Sequence, residues 1–291
     1  MQSIPEMTDL IKHFSLKDCD HKGFSRVLLQ LFGYLGHGKS SFINTCKYVL
    51  DDTEYQMYAN VKDSLGGNTT QRITYPLTDT LTLVDNRGCS TMNAYETGEI
   101  FAQLGNLLPC DKAVEWSRGI TLVDRIIQAE RYVQASDFIF PIFVYSVKSG
   151  LSSGEVAEIK ELLTTARDLT GIVPVVVLTH KTHHNLRDVR DKFEAMDVER
   201  IFALENFTPE DHLKTRGKHE AVLKIFLEVI KDIEFRIQRF SDPEEERQRR
   251  KRFVCKYVYE RELRKNDEET EKILRENAEQ NSPPKKDCTL L

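Results

Sequence analysis

Residues 26–44 read Arg26-Val27-Leu28-Leu29-Gln30-Leu31-Phe32-Gly33-Tyr34-Leu35-Gly36-His37-Gly38-Lys39-Ser40-Ser41-Phe42-Ile43-Asn44. The first seven form a short apolar run, the pattern of a strand covered on both faces. The run breaks at Gly33, and glycine returns at 36 and 38 before Lys39 and Ser40. Beyond it, Phe42, Ile43, Cys46, Val49 and Leu50 recur at helical spacing. Strand, glycine-rich loop and helix in this order are what a P-loop requires. Glycines let successive backbone N–H groups turn inward around phosphate oxygens. The following helix aims its positive N-terminal end at the same anion. Gly33, Gly36, His37, Gly38, Lys39, Ser40 and Ser41 are therefore the candidate nucleotide-binding residues of the loop. Lys39 is expected to reach the β- and γ-phosphates, and Ser40 to offer its hydroxyl to Mg²⁺. His37 reads either as bearing on the γ-phosphate or as a spacer.

Outward from this loop, strand and helix patterns alternate. Strands are expected at 71–77, 80–85, 138–147, 172–179 and 200–206, and helices at 120–135, 153–169, 186–196 and 219–240, with Ser153 able to cap the second of these. Such alternation implies βαβ units: an α/β fold with a mostly parallel sheet and helices on both faces, as in P-loop NTPases. The span from Gly88 to Gly119, with Trp116, fits no pattern and reads as wrapping one edge. The chain divides into an N-terminal extension at 1–23, the main domain at 24–240 and a charged helical tail at 241–291, where composition shifts at Ser241-Asp242-Pro243.

Three further segments complete a triphosphate site. Asp85-Asn86-Arg87-Gly88 ends a strand; an acid there holds Mg²⁺ through water, and a glycine three residues on donates its N–H to the γ-phosphate. Between it and the loop lies Leu65-Gly66-Gly67-Asn68-Thr69-Thr70-Gln71, where Thr69 or Thr70 can close over Mg²⁺, Thr70 being favoured because it directly precedes a strand. Lys39, Thr70, Asp85 and Gly88 are thus the candidate catalytic set, and Ser40, Thr70 and Asp85 the candidate metal set. The base end is Leu178-Thr179-His180-Lys181-Thr182-His183-His184, with Asn206 as a second contact from the last strand. GTPases usually carry an aspartate where Thr182 or His183 stands here. A hydroxyl or neutral imidazole accepts one hydrogen bond but not the bidentate pair a carboxylate accepts. Guanine selectivity is accordingly expected to be reduced, or supplied otherwise. Asp188 lies within a helix pattern and reads as a solvated residue. No glutamine follows Asp85 to orient a water, while Arg87 reads as an internal cationic finger or a surface residue; hydrolysis is expected to be slow.

Composition narrows the classes of function. With 291 residues, 40% hydrophobic, the chain can bury a sizeable core, and a net charge of −5 argues against nucleic acid as a partner. Six scattered cysteines without a Cys-x-x-Cys pair point to a reducing, cytoplasmic setting. Residues 1–20 resemble no targeting signal, and no apolar stretch reaches the ~18 residues of a membrane span. The last four residues, Cys288-Thr289-Leu290-Leu291, fit a prenylation box, with lipidation expected on Cys288. One lipid needs a second, basic signal, and the dense Arg/Lys group from Arg247 to Lys265 is the candidate for contact with an anionic membrane surface.

Taken together, Gly36-His37-Gly38-Lys39-Ser40-Ser41-Phe42-Ile43-Asn44, Asn68-Thr69-Thr70, Asp85-x-x-Gly88, Leu178-Thr179-His180 and Asn206-Phe207-Thr208 resemble the interferon-induced protein 44 family of P-loop proteins over roughly residues 24–240. The resemblance implies a cytoplasmic, GTPase-like protein of the antiviral response that uses GTP/GDP and Mg²⁺, with a protein effector or a homodimer as partner. The family pattern continues Thr-His-x-Asp, where this chain has Thr182. The tail with its terminal cysteine looks more like that of guanylate-binding proteins. ATP use, or nucleotide binding without hydrolysis, remains an open alternative.

Overall fold

The computed structural model describes residues 2–19, 22–60, 71–90, 94–113, 119–240 and 242–280. The expected Thr69, Thr70, Trp116 and Cys288 therefore lie outside the described residues. Among those described, seven strands form one sheet and eight α-helices flank it. In chain order these are α1 (Ile4–His13), β1 (Arg26–Phe32), α2 (Lys39–Asp51), β2 (Gln71–Pro76), β3 (Leu81–Asp85), α3 (Ala94–Leu104), β4 (Lys112–Ala113), α4 (Gly119–Ala129), β5 (Asp137–Ser146), α5 (Ser153–Thr170), β6 (Val175–Thr179), α6 (Leu186–Ala195), β7 (Ile201–Ala203), α7 (Arg216–Ile237) and α8 (Pro243–Gln280).

The strand order is β4-β2-β3-β1-β5-β6-β7. Strands β3, β1, β5, β6 and β7 run parallel, while β2 and then β4 pair antiparallel at one edge. The central strands are apolar because both their faces are covered. Along β5, Phe138, Phe140, Ile142 and Val144 enter the core beneath α1, α2 and α7, and Phe143 and Tyr145 enter the one beneath α3, α4, α5, α6 and α8. The period of two that sends neighbouring side chains to opposite faces is thus satisfied with no polar face at all. Parallel pairing puts the C-terminal ends of β1, β3, β5 and β6 on one edge of the sheet, the edge where ligands of open α/β sheets bind.

Three features of the organisation bear on the sequence expectations, and one of them, the cap of α5, corrects the expectation. The N-terminal extension packs on the main domain: Met7 and Ile11 of α1 are buried against α7. The cap of α5 is Ser152, whose hydroxyl accepts the Glu155 N–H, rather than Ser153. At the basic start of the tail Arg247, Arg249, Arg250 and Lys251 have partners on the body, while Arg252 and Lys256 are exposed. Arg247 and Lys251 both pair with Glu130, whose carboxyl they and Gln248 hold down to about 2. The buried Arg250 guanidinium donates to Gly105 O at 3.0 Å, and Val254 and Val258 are buried with it. The outer part of α8 is exposed continuously from Leu263 to Arg275. The unplaced 88–119 span supplies α3, on which the inner part of α8 rests through the Phe101–Tyr257 ring contact and the edge strand β4. No described helix is long and apolar enough to cross a membrane.

Candidate functional site

The loop leaving β1 takes a path that only glycines follow. Gly33 has φ +138°, and a Cβ there would sit 2.4 Å from the Val144 carbonyl oxygen on β5. Gly36 and Gly38 are also left-handed, at φ +74° and +91°, where side chains are strained. Gly38 immediately precedes α2, and no side chain caps that helix. Its first-turn N–H groups, orphaned in any helix, are left to an outside acceptor. Ser41 lies in that same first turn.

Lys39 is buried, 6% exposed, and its ammonium donates to the loop's own carbonyls, Tyr34 O at 2.9 Å and Gly33 O at 3.3 Å. Burial pulls its pKa down, and the charge of Asp85 opposes that fall. Ser40 Oγ donates to Asp85 Oδ2 at 2.8 Å. The Asp85 carboxyl, at the end of β3, is pushed up by burial against the pull of Lys39 and Ser40. Its other oxygen, Oδ1, is buried and has no hydrogen-bond partner among the described residues. Gly88 is packed so closely that a Cβ would lie 2.5 Å from Lys39 Nζ and 2.9 Å from Leu35 Cδ2. The chain there pairs with the loop, Leu35 N donating to Cys89 O at 2.9 Å and Cys89 N to Gly33 O at 3.4 Å. Lys39, Ser40, Asp85 and Gly88, far apart in sequence, are therefore one cluster.

This cluster fits a magnesium–phosphate group. Among the described residues no three His, Cys, Asp or Glu side chains gather to hold a metal by themselves. Mg²⁺, however, is usually held by one or two protein oxygens with phosphate and water completing the shell. The Ser40–Asp85 pair, with Oδ1 unbonded among the described residues, offers oxygens that fit such a shell. A buried ammonium beside left-handed glycines and free helix amides suits the anion.

The turn after β3 is fixed by residues the sequence reading passed over. Asn86 Nδ2 donates to Gln30 Oε1 at 2.9 Å and to Leu31 O at 3.0 Å, tying the turn to β1. The Asn86 oxygen accepts from Nε of the fully buried Arg72 at 2.8 Å. Arg72 also donates to Asn106 Oδ1 at 2.9 Å and to Leu108 O. The only local signal was an arginine inside an otherwise strand-like run, which reads equally well as an outward-facing residue. Arg87 N donates to Gln103 Oε1 at 3.0 Å, fixing the backbone beside Gly88.

At the other end, Thr179 Oγ1 donates to His37 O at 3.1 Å. Asn206 Oδ1 accepts from Thr45 on α2 at 3.2 Å, and its Nδ2 would lie 3.4 Å from a Cβ at Gly38. These two expected base contacts thus converge on the glycine-rich loop. His180 is left-handed, φ +59°, with Nδ1 3.1 Å from Ser146 Oγ. Lys181 and Thr182 are exposed. Thr182 is held instead by an acid from the next loop: its N–H and hydroxyl both donate to Glu205 Oε2, at 3.1 and 3.0 Å. Asp188 pairs with Lys192 at 2.8 Å along α6, a helix-surface contact.

His37 is tied to the end of β5 and the turn after it. Its Nδ1 accepts the Ser146 N–H at 3.1 Å, which leaves Nε2–H to donate to Ser149 Oγ at 3.2 Å. Its ring meets the edge of Tyr145 at 4.6 Å. Burial, with help from Lys39, pushes its pKa down to about 4, so it is neutral and acts as a bolt between loop and β5. Set beside models of known protein families the chain matches none, and set beside curated proteins it matches none either.

Proposed function

We propose that this chain is a P-loop protein that binds a nucleoside triphosphate with Mg²⁺, GTP foremost, and serves as a slowly hydrolysing, GTPase-like switch. One observation carries the reading: a buried lysine, a serine–aspartate pair with an orphaned oxygen and a glycine without room for a Cβ meet at a left-handed loop opening a helix. The amides of residues 36–41 cradle the phosphates. Lys39 leaves the carbonyls of Gly33 and Tyr34 for the phosphate oxygens, gaining a stronger, charge-assisted partner. Ser40 and Asp85 hold Mg²⁺, which supplies neutralisation of phosphate charge. Gly88 N–H faces the γ-phosphate; Thr70, the further member of the expected set, lies outside the described residues. Thr179, His180, Lys181, Thr182 and Asn206 form the end where the base lies. With no glutamine after Asp85 to orient water, turnover is slow. The resemblance to the interferon-induced protein 44 family supports the reading and, with it, a place in the antiviral response. A second reading, ATP or mixed nucleotide use, is favoured by Thr182 where guanine readers carry an acid.

Equilibrium binding of fluorescent GTP, competed with GTP and ATP in Mg²⁺, tests this. Replacing Lys39 with Ala is expected to lower affinity at least about a hundredfold, the loss of roughly 3 kcal/mol for a charge-assisted contact, with an unchanged thermal melt. A Lys39→Ala protein that binds as the wild type does would refute the site. Phosphate release at saturating GTP then separates a hydrolase from a binder.

A further inference from the structure

The base end lacks an acid at the position where the motif expects one, yet an acid is there in space. Thr182 occupies that position, and Glu205 reaches it from the loop after β7. Both Thr182 donors, amide and hydroxyl, converge on one oxygen, Glu205 Oε2. Among the described residues the second oxygen, Oε1, carries no hydrogen bond.

The placement of Glu205 is set from both sides. Leu204 before it is locked to β6, its N–H donating to Leu178 O at 3.0 Å and its O accepting from Lys181 N at 3.2 Å. Asn206 after it is tied to α2 through Thr45, and Phe207 N donates to the same threonine hydroxyl at 3.0 Å. The carboxylate is also close enough to His180 to oppose the fall of that imidazole's pKa. Glu205 therefore stands beside Thr182 and His180, next to the residue that touches the glycine-rich loop.

Guanine presents two donors, N1–H and the 2-amino group, and only a carboxylate accepts both without offering a proton of its own. Adenine presents an acceptor at N1 and no 2-amino group, so a carboxylate there faces a lone pair, a repulsive element of the kind that gives specificity. An oxygen already oriented by two Thr182 donors loses little freedom when a base docks, since the rotamer is set beforehand. We propose that Glu205, oriented by Thr182, is the guanine-reading acid of this chain, the carboxylate and hydroxyl having exchanged loops relative to the usual motif. This rests on the triphosphate site proposed above and names the base it takes.

The test exploits xanthine, which keeps N1–H but carries an oxygen in place of the 2-amino group. A glutamine at 205 offers one acceptor and one donor, matching xanthine and mismatching guanine. Wild-type protein is expected to bind GTP about a hundredfold more tightly than XTP or ATP. Glu205→Gln, an isosteric change, is expected to weaken GTP at least tenfold and strengthen XTP at least tenfold, reversing the order; a gain of XTP binding is an effect that mere damage would not produce. If Glu205→Gln keeps the wild-type order, Glu205 does not read the base, while the triphosphate site stands. If wild-type protein binds no triphosphate, or Lys39→Ala binds equally, both readings fall together. Should Glu205→Gln melt early, the exchange Thr182→Asp with Glu205→Ser returns an acid–hydroxyl pair. That variant is expected to prefer GTP, and indifference between GTP and ATP would overturn the proposal.

Discussion

At the phosphate end, Lys39, Asp85 and Gly88 are buried and packed on one another. At the base end Lys181 and Thr182 are exposed, and the acid that holds Thr182 comes from 23 residues further on. The first arrangement joins segments 45 residues apart, Ser40 to Asp85, in a crowded space that backbone and side chain share. The second joins two loops at the surface through Thr182 and Glu205. Phosphate is the same in every nucleotide and rewards a rigid mould; the base is what distinguishes nucleotides, and a pair of loops can exchange roles without disturbing the mould. The contrast yields a ranked set of expectations.

The largest effect belongs to Gly33. Alanine there sets a Cβ against the Val144 carbonyl, so Gly33→Ala is expected to cost at least about 3 kcal/mol in denaturant unfolding. Gly36, just as left-handed but with nothing within 4 Å of a Cβ, is the control, and Gly36→Ala is expected to cost only about 1 kcal/mol. Equal costs would mean the loop is not moulded as described.

Next in size is Asp85→Asn. Losing a metal-holding carboxylate typically weakens a site 10–100-fold, so the difference in nucleotide affinity between Mg²⁺ and EDTA is expected to shrink at least about tenfold. The same acid gives a pH dependence. Burial raises the Asp85 pKa, so its carboxylate is taken up by protons sooner on acidification than an ordinary one. Magnesium-dependent affinity is accordingly expected to fall as pH falls, and the Asp85→Asn protein to lack that fall. Calorimetric titrations across pH read both.

His37 gives a smaller signature, in stability rather than binding. Its folded pKa, about 4, lies below the ordinary 6.5. On acidification the unfolded chain takes the proton first, so stability is full above pH 6.5 and drains as pH falls toward 4. The drain from this residue is at most about 3 kcal/mol. His180 and His219 are also lowered by burial and add to the same window. His37→Asn is expected to flatten the slope by up to one proton's worth; an unchanged slope between pH 6.5 and 4 would show that the imidazole is not held neutral. Smallest of all, Lys181→Ala at the exposed base end is expected to leave the melt unchanged within about 0.5 kcal/mol.

The same division explains what could be read without coordinates. Gly33 to Ser40 and Asp85 to Gly88 are local patterns, and each glycine carries its backbone requirement in its own identity. The doubly covered strands announce themselves by apolar runs. Arg72, Asn86 and Gln30 do not, because their meaning is a set of contacts across three elements. A buried arginine and a surface arginine are the same letter. The inner part of α8 is illegible for the same reason: nothing in its run of cations says that Glu130 and Gly105 receive Lys251 and Arg250. Glu205 is the sharpest case, since it lies 23 residues beyond Thr182 in sequence and only the fold brings the two together.

A crystal structure of the chain with Mg²⁺ and a non-hydrolysable GTP analogue examines the central claim most directly. The expected result has the β-phosphate against the amides of residues 36–41, Lys39 Nζ moved from Gly33 O and Tyr34 O to phosphate oxygens, and the metal between Ser40 and Asp85. A nucleotide bound elsewhere, or Lys39 still closed on its own loop with ligand present, would contradict the account.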